Sequence, residues 1–199
     1  VRSSNDGAAV AYEGTAQNSG NYLTWIGSGA LFANTSGYAN SALGYLALNQ
    51  NTTGSYNTAL GTTALHANNV GSSNTAVGYS TLGLNSAGAS NTAIGDSTMA
   101  ANSTGSYNTA LGANAMTSST TGNHNVAVGA GALASNTTAS NNVAVGTNAL
   151  TFNTTGTDNV AVGTAALESN TTGTGNYALG RMALQNNLSG NGNVAIGYV

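Results

Sequence analysis

Residues 142–175 read NVAVGTNALTFNTTGTD and then NVAVGTAALESNTTGTG, two successive segments of seventeen residues that agree at most positions. In both directions from this stretch, the pentad Asn-x-Ala-Φ-Gly, where Φ is Leu, Val or Ile, recurs ten times at a spacing of seventeen. Such strict periodicity predicts that one structural unit is copied along the chain. The pentad asparagines are Asn40, Asn57, Asn74, Asn91, Asn108, Asn125, Asn142, Asn159, Asn176 and Asn193.

The remainder of the unit is equally regular. A Leu or Met, usually preceded by Ala, follows four residues after each pentad Gly, and an Asn follows three residues later, with Ser119 as the exception. A pair rich in Thr and Ser comes next, and then a Gly, which only Ala139 replaces. The consensus is N-x-A-Φ-G-x-x-A-L-x-x-N-T-T-G-x-x, and residues 23–27 form a weaker eleventh pentad.

The unit is too short for a pair of helices, and two Gly and two Asn per unit disfavour even one helix. The alternation in Asn-x-Ala-Φ-Gly predicts a short strand, and a second strand is predicted around Ala-Leu, with turns between them. The sequence therefore predicts an all-β fold, a parallel β-solenoid or β-roll with two short strands per 17-residue coil and about 10–11 coils. Residues 23–199 are predicted to form the solenoid, and residues 1–22 an N-terminal cap or irregular entry segment.

Stacked coils at about 4.8 Å would give a rod of roughly 50 Å in which equivalent residues lie above one another. We expect the Asn residues at the corners to form a ladder of side-chain amides. Alternation places Ala on one strand face and x and Φ on the other, so that one face fills the core and the other forms an apolar stripe. The area of such a stripe would far exceed the contiguous apolar area that monomers usually expose. We therefore predict side-by-side self-association. The pattern leaves open which face lies inside.

Composition excludes several classes of function. The chain carries two basic and five acidic residues, for a net charge of −3, so the clustered Lys and Arg needed for nucleic-acid binding are missing. It has no Cys, which excludes disulfides and thiolate metal sites. No run approaches 18 consecutive apolar residues, so no membrane insertion by this segment is expected.

The N-T-A-L-G and N-V-A-V-G units, each followed by A-L and an Asn-rich turn, resemble the head repeats of trimeric autotransporter adhesins (YadA-like) and related repeats of phage tail fibres and surface fibres. The resemblance covers residues 23–197. It implies a left-handed parallel β-roll, assembly of three chains side by side, and binding to host-surface molecules. The unit of seventeen is longer than the commonest adhesin head unit, and the chain contains no recognisable membrane anchor, coiled coil or neck.

The few reactive side chains do not form a recognisable catalytic set. His66 and His124 occupy different positions of the repeat and lie more than three coils apart. Asp96, Asp158 and Glu168 are also at separate positions, although Asp158 and Glu168 fall on adjacent turns. We therefore predict no catalytic, cofactor or metal site and no enzymatic activity.

The Asn of the second corner lies in an N-x-S/T sequon in seven coils, which makes it a candidate glycosylation site. The favoured alternative is an Asn ladder whose neighbouring Thr residues bond the turn. The seven candidates are Asn34, Asn51, Asn102, Asn136, Asn153, Asn170 and Asn187.

Two further surfaces are candidates for binding. A rank of hydroxyls beside these asparagines could present the regular array of ice-binding solenoids, although Asn69 and Leu188 interrupt it. Tyrosines at corners could stack on sugars or contact protein, because tyrosine joins an apolar ring to a polar tip. The hydroxyl rank comprises Thr35, Thr52, Ser103, Thr120, Thr137, Thr154 and Thr171, and the tyrosines are Tyr38, Tyr45, Tyr56, Tyr79 and Tyr107.

These observations predict a non-enzymatic extracellular fibre or adhesin domain, a stiff repetitive rod for surface attachment on a cell or virion. The alternative is a subunit of a self-assembling extracellular filament that stacks end to end. The expected partners are copies of the same chain, as a homotrimer or an end-to-end polymer, and an unidentified protein or glycan of a host surface.

Overall fold

The computed structural model describes residues 22–198, so the predicted cap at residues 1–22 lies outside the described part except for Tyr22. The described chain contains eleven strands of three residues, each formed by the centre of one pentad. The strands are β1 (Thr24–Ile26), β2 (Ser41–Leu43), β3 (Thr58–Leu60), β4 (Thr75–Val77), β5 (Thr92–Ile94), β6 (Thr109–Leu111), β7 (Val126–Val128), β8 (Val143–Val145), β9 (Val160–Val162), β10 (Tyr177–Leu179) and β11 (Val194–Ile196).

All eleven strands form one parallel sheet in sequence order, and every pair is in register at a shift of seventeen residues. In β4 and β5, for example, Thr75 lies beside Thr92 and Ala76 beside Ala93. Backbone bonds continue past the strands, since the amide of Thr75 donates to the carbonyl of Asn91 at 2.8 Å. The predicted parallel β-solenoid with one coil per repeat is therefore confirmed.

The second strand predicted around Ala-Leu does not form. That segment is a succession of turns, and its Leu adopts a left-handed backbone conformation, with φ of 50° at Leu65 and 53° at Leu150. A left-handed residue cannot continue an extended strand. The coils are still bonded to each other here, because the amide of Leu65 donates to the carbonyl of Thr81 at 3.0 Å. Each coil thus contains one strand and one chain of turns.

The core is a single layer of Ala and Leu or Met side chains between the strand and the turn segment. The central Ala of each strand points inward, and Ala59, Ala93 and Ala127 are buried. The buried Leu or Met of each coil contributes to the same cluster, as Leu65 and Met99 do. The structure thereby decides which face lies inside: Ala fills the core because the coil is thin, and x and Φ point outward.

The pentad Gly is required where the strand ends. Gly61 has φ of +135°, and a Cβ placed on it would overlap the carbonyl oxygen of Gly78 in the next coil. Both the backbone conformation and the close approach of the next coil exclude a side chain.

Residues 22–198 include no helix that could span a membrane.

Candidate functional site

The outward side of the sheet is a regular surface that runs the length of the solenoid, and its residues are here called the outer sheet face. Each strand contributes its first and third residues, which lie on the same side because side chains alternate along a strand. The Φ side chains remain accessible, with 42% of Leu60 and 45% of Leu111 exposed. From β2 to β11 the first residues are Ser41, Thr58, Thr75, Thr92, Thr109, Val126, Val143, Val160, Tyr177 and Val194, and the third residues are Leu43, Leu60, Val77, Ile94, Leu111, Val128, Val145, Val162, Leu179 and Ile196.

The outer sheet face carries no charged residue in any strand. It changes along the rod from pairs of Thr or Ser with Leu, Val or Ile in β2–β6 to pairs of Val in β7–β9. At 4.8 Å per coil it is about 50 Å long, and its two ranks cover a width of about 10 Å. The resulting area of about 500 Å² is at the upper end for a monomer, so the three-residue strands give a smaller stripe than the repeat length alone suggested.

The asparagines of the second corner, most of them in sequons, form a ladder inside the solenoid that is interrupted at Ser119 and is here called the sequon ladder. Nδ2 of Asn51 donates to Oδ1 of Asn34 in the preceding coil at 2.6 Å and to the carbonyl of Gly54 at 2.9 Å. Asn68 repeats both bonds one coil further on, at 2.7 and 2.9 Å. The predicted ladder of side-chain amides is confirmed.

This ladder bears on the glycosylation hypothesis. The amide nitrogen that would carry a glycan already donates two hydrogen bonds in Asn51, Asn153 and Asn170, and these side chains are buried. A glycan at this nitrogen would have to be attached before the coil forms and would prevent its closure. The geometry favours the ladder, and glycosylation stays a prediction that intact mass would test.

The pentad asparagines form a second internal ladder, here called the pentad ladder. Oδ1 of Asn74 accepts hydrogen bonds from the backbone amide of Asn91 at 3.0 Å and from its Nδ2 at 3.1 Å. Nδ2 of Asn91 also donates to the carbonyl of Gly105 at 2.8 Å. Each pentad asparagine therefore bonds the asparagine of the preceding coil, and it also closes the Gly corner that precedes the next strand.

The hydroxyl rank also serves the solenoid. Oγ1 of Thr120 donates to the carbonyl of Thr137 at 3.0 Å, and Thr154 bonds Thr171 in the same way at 3.0 Å. These hydroxyl hydrogens point along the rod to the next coil. The ice-binding hypothesis stays a prediction, for which thermal hysteresis is the measurement.

The predicted tyrosines are exposed at the corners. Tyr38 and Tyr56 meet edge to face with ring centroids 4.9 Å apart, and the side-chain hydrogen bond between them is the main cause that raises the pKa of Tyr56. Tyr45 and Tyr79 are exposed on the turn that follows the pentad. Tyr107 stacks on His124 of the next coil, with centroids 5.1 Å apart and planes within 5°.

Three of the remaining candidate acids and bases, Asp158, Glu168 and His66, pair with neutral side chains of adjacent coils, and Asp96 is exposed on the turn after β5. Nδ2 of Asn141 donates to Asp158 at 3.2 Å, and Nε2 of Gln185 donates to Glu168 at 2.6 Å. His66 lies 3.5 Å from Nε2 of Gln50. Asp158 and Glu168 are thus bonded to different neighbours. Among residues 22–198 no three His, Asp or Glu side chains converge in a way that would hold a metal ion.

Two features had no recognisable signal in the sequence. They are the inward direction of the strand Ala and the left-handed conformation of the buried Leu. The first was open because Ala and Φ alternate equally well in either direction. The second was hidden because Leu strongly disfavours that conformation in general.

No family model, no curated protein and no solved structure matches the chain. Membership of the trimeric autotransporter family therefore stays a prediction from the repeat. The same holds for the left-handed winding and the three-chain assembly that the resemblance implies.

Proposed function

We propose that this chain is a non-enzymatic rod segment of an extracellular fibre or adhesin, and that copies of it associate side by side through the outer sheet face. The observation that carries the proposal is the uncharged, largely apolar strip that follows every strand from β1 to β11. Side-by-side contact removes this strip from water at about 25 cal/mol per Å² of apolar surface.

The expected contact is of moderate size. A typical stable interface covers about 800 Å² on each partner, whereas the outer sheet face alone supplies about 500 Å². Flanking exposed residues such as Tyr45 and Tyr79 lie beside it and would supply part of the remainder. Three chains around one axis would give each chain two such neighbours, which agrees with the trimer that the resemblance implies.

A stiff rod suits attachment at a surface. Each coil is bonded to its neighbours by backbone and by the pentad ladder, and by the sequon ladder everywhere but at Ser119, so the corners hold a fixed spacing of about 4.8 Å. Weak contacts repeated along such a rod add up by avidity. We propose a host-surface protein or glycan as the ligand and a cell surface or virion fibre as the location.

Charge substitution on the outer sheet face tests the proposal. Leu60→Glu with Leu111→Glu places two carboxylates on this face, where both side chains are already partly exposed, so the monomer should still fold. Thr104→Glu with Thr155→Glu adds the same charge at exposed positions outside it. We expect sedimentation equilibrium to show an oligomer for the natural chain and the Thr variant, and a monomer for the Leu variant. A natural chain that stays monomeric at high concentration would disprove side-by-side association.

The alternative of an end-to-end filament differs in the direction of growth. Electron microscopy should show short rods of uniform length under the side-by-side proposal. Long filaments one chain in width would support the alternative and would leave the outer sheet face without a role in assembly.

A further inference from the structure

The sequon ladder is broken once, at Ser119. In the preceding coil Nδ2 of Asn102 donates to Oδ1 of Asn85 at 2.7 Å, so the ladder is intact up to that point. Oδ1 of Asn102 would next accept from an asparagine at position 119, where the chain has serine. Oδ1 of Asn102 and Oγ of Ser119 are both buried and have no hydrogen-bond partner within the described protein.

The coil beyond the break also lacks one bond. Nδ2 of Asn136 donates to the carbonyl of Ala139 at 3.1 Å. In the intact part of the ladder the second hydrogen of this nitrogen goes to the preceding asparagine, as in Asn102 and Asn85. The place of the missing amide is therefore surrounded by a carbonyl acceptor, a hydroxyl and an amide donor. Buried polar groups in native proteins are satisfied in the great majority of cases.

We propose that this gap is a binding site for one ordered water molecule, which donates to Asn102 Oδ1 and bonds Ser119 Oγ. A serine lacks the carboxamide of asparagine, and the space released is comparable to the roughly 30 Å³ that one water occupies in the liquid. Buried waters make about two to four hydrogen bonds to such groups. The water supplies the bond that Asn102 Oδ1 would otherwise accept from the next asparagine.

The chemistry of the gap selects water over a cation. A cation requires oxygen ligands on all sides, whereas the N–H of Asn136 is directed into the ladder. The groups around the gap are neutral, since the ladder and its neighbouring turns contain Asn, Ser, Thr, Gly and Ala. Water can donate to the carbonyl of Asn102 and bond the hydroxyl of Ser119 without bringing a charge into the ladder.

The oxygen-17 relaxation dispersion of water counts molecules that stay bound long enough to tumble with the protein. The natural chain should hold one more such water than Ser119→Asn with Ala139→Gly, which restores the consensus in both coils. Asn68→Ser makes an equivalent gap between Asn51 and Asn85, and it should bind one long-lived water more than the natural chain. Circular dichroism confirms that both variants fold.

A high-resolution crystal structure gives the position of the proposed water. We expect density within hydrogen-bond distance of Asn102 Oδ1 and Ser119 Oγ, and none there in the restored variant. Equal numbers of long-lived waters in the natural and restored chains would overturn the proposal. So would a dry gap in which Asn102 and Ser119 bond each other directly.

Discussion

Asparagine is the residue that closes the coils and joins them. Its amide has two donors and a carbonyl acceptor, so one side chain can bond both a turn carbonyl and the equivalent asparagine of the next coil. Asn68 and Asn91 show the two versions, one on each ladder. Asparagine also occurs readily in turns, whereas a carboxylate could not donate and would repeat its charge every 4.8 Å.

Removal of one rung of the pentad ladder should be costly. Asn91→Ala deletes the bonds to Asn74 and Gly105 and leaves the buried backbone amide of Asn108 without its acceptor. Unsatisfied buried groups cost 1–3 kcal/mol each, so we expect a loss of about 3 kcal/mol in the free energy of unfolding. Asn186→Ala, at an exposed position, should change it by less than about 0.5 kcal/mol. Urea denaturation measures both, and equal effects would show that the rung has no special role.

The two exceptions in the repeat, Ser119 and Ala139, belong to adjacent coils and touch the same asparagine. A Cβ at the Gly position meets the ladder asparagine three residues earlier, as Gly71 would meet Oδ1 of Asn68 at 2.5 Å. Asn136 lies between the two exceptions, and its bond to Asn153 is lengthened to 3.1 Å. Because Ser119 offers Asn136 no amide bond from the preceding coil, Asn136 can shift away from the methyl of Ala139.

The same pair of exceptions can be introduced by substitution into an intact part of the sequon ladder. Gly71→Ala alone should destabilise the protein by about 3 kcal/mol, because the methyl overlaps backbone and amide atoms that cannot move. In the Asn51→Ser background, Asn68 gains the same freedom as Asn136, and the cost of Gly71→Ala should fall by about 1 kcal/mol. A double-mutant cycle by urea denaturation measures this coupling. Strictly additive effects would show that the exceptions are unrelated.

At the level of the element, the strand was predictable and the turn segment was only partly so. The alternation of Asn-x-Ala-Φ-Gly located β2 to β11 and their register, because any slip would exchange inward and outward residues. The segment around Ala-Leu has the same apolar character, and it was wrongly assigned to a strand. A buried Leu in a left-handed conformation costs roughly 1–2 kcal/mol and is not expected from residue type. The packing of this Leu in the completed stack compensates for the cost of its left-handed conformation.

The outer sheet face, too, could be predicted only in part. Residue types marked the outer sheet face as one of two alternatives, but the choice required the width of the coil. The sequons at Asn34 and Asn51 illustrate a different limit. A sequon and a ladder rung are identical in local sequence, and only burial and the hydrogen bonds to the next coil distinguish them.

The left-handed conformation of the buried Leu makes a prediction at this scale. Leu150 has φ of 53°, and a side chain branched at Cβ fits this conformation poorly. Leu150→Ile keeps the volume and should still cost about 2–3 kcal/mol. Leu150→Met should cost less than about 1.5 kcal/mol, because Met99 and Met116 occupy the same position with φ of 52°. Thermal and urea denaturation compare the two, and equal costs would mean that the backbone imposes no selection.

The whole molecule is a one-dimensional stack in which each coil contacts its two neighbours. Strands pair with the preceding and following strand only, from β1 to β11. Stability in such a stack is the sum of the coils and of the contacts between them. The constant length of seventeen residues is what keeps both ladders and the core continuous.

Deletion of a complete coil should therefore preserve the fold. Removing residues 74–90 joins Ser73 to Asn91 and restores the consensus, so the shortened chain should unfold cooperatively with a proportionally smaller urea m-value. Removing residues 74–91 takes away one more residue and the pentad asparagine of that coil. This second deletion should lose cooperative unfolding around the junction. Indistinguishable unfolding of the two variants would contradict a stack with a fixed register.

Coils of seventeen residues stack along the rod, and we propose that rods associate side by side through the outer sheet face. Small-angle X-ray scattering of the purified protein tests it by the mass per unit length of the rod. A single solenoid contains seventeen residues for about every 4.8 Å. The account predicts two or three times that value, with no growth in rod length as concentration rises. The value for a single chain at every concentration would contradict it.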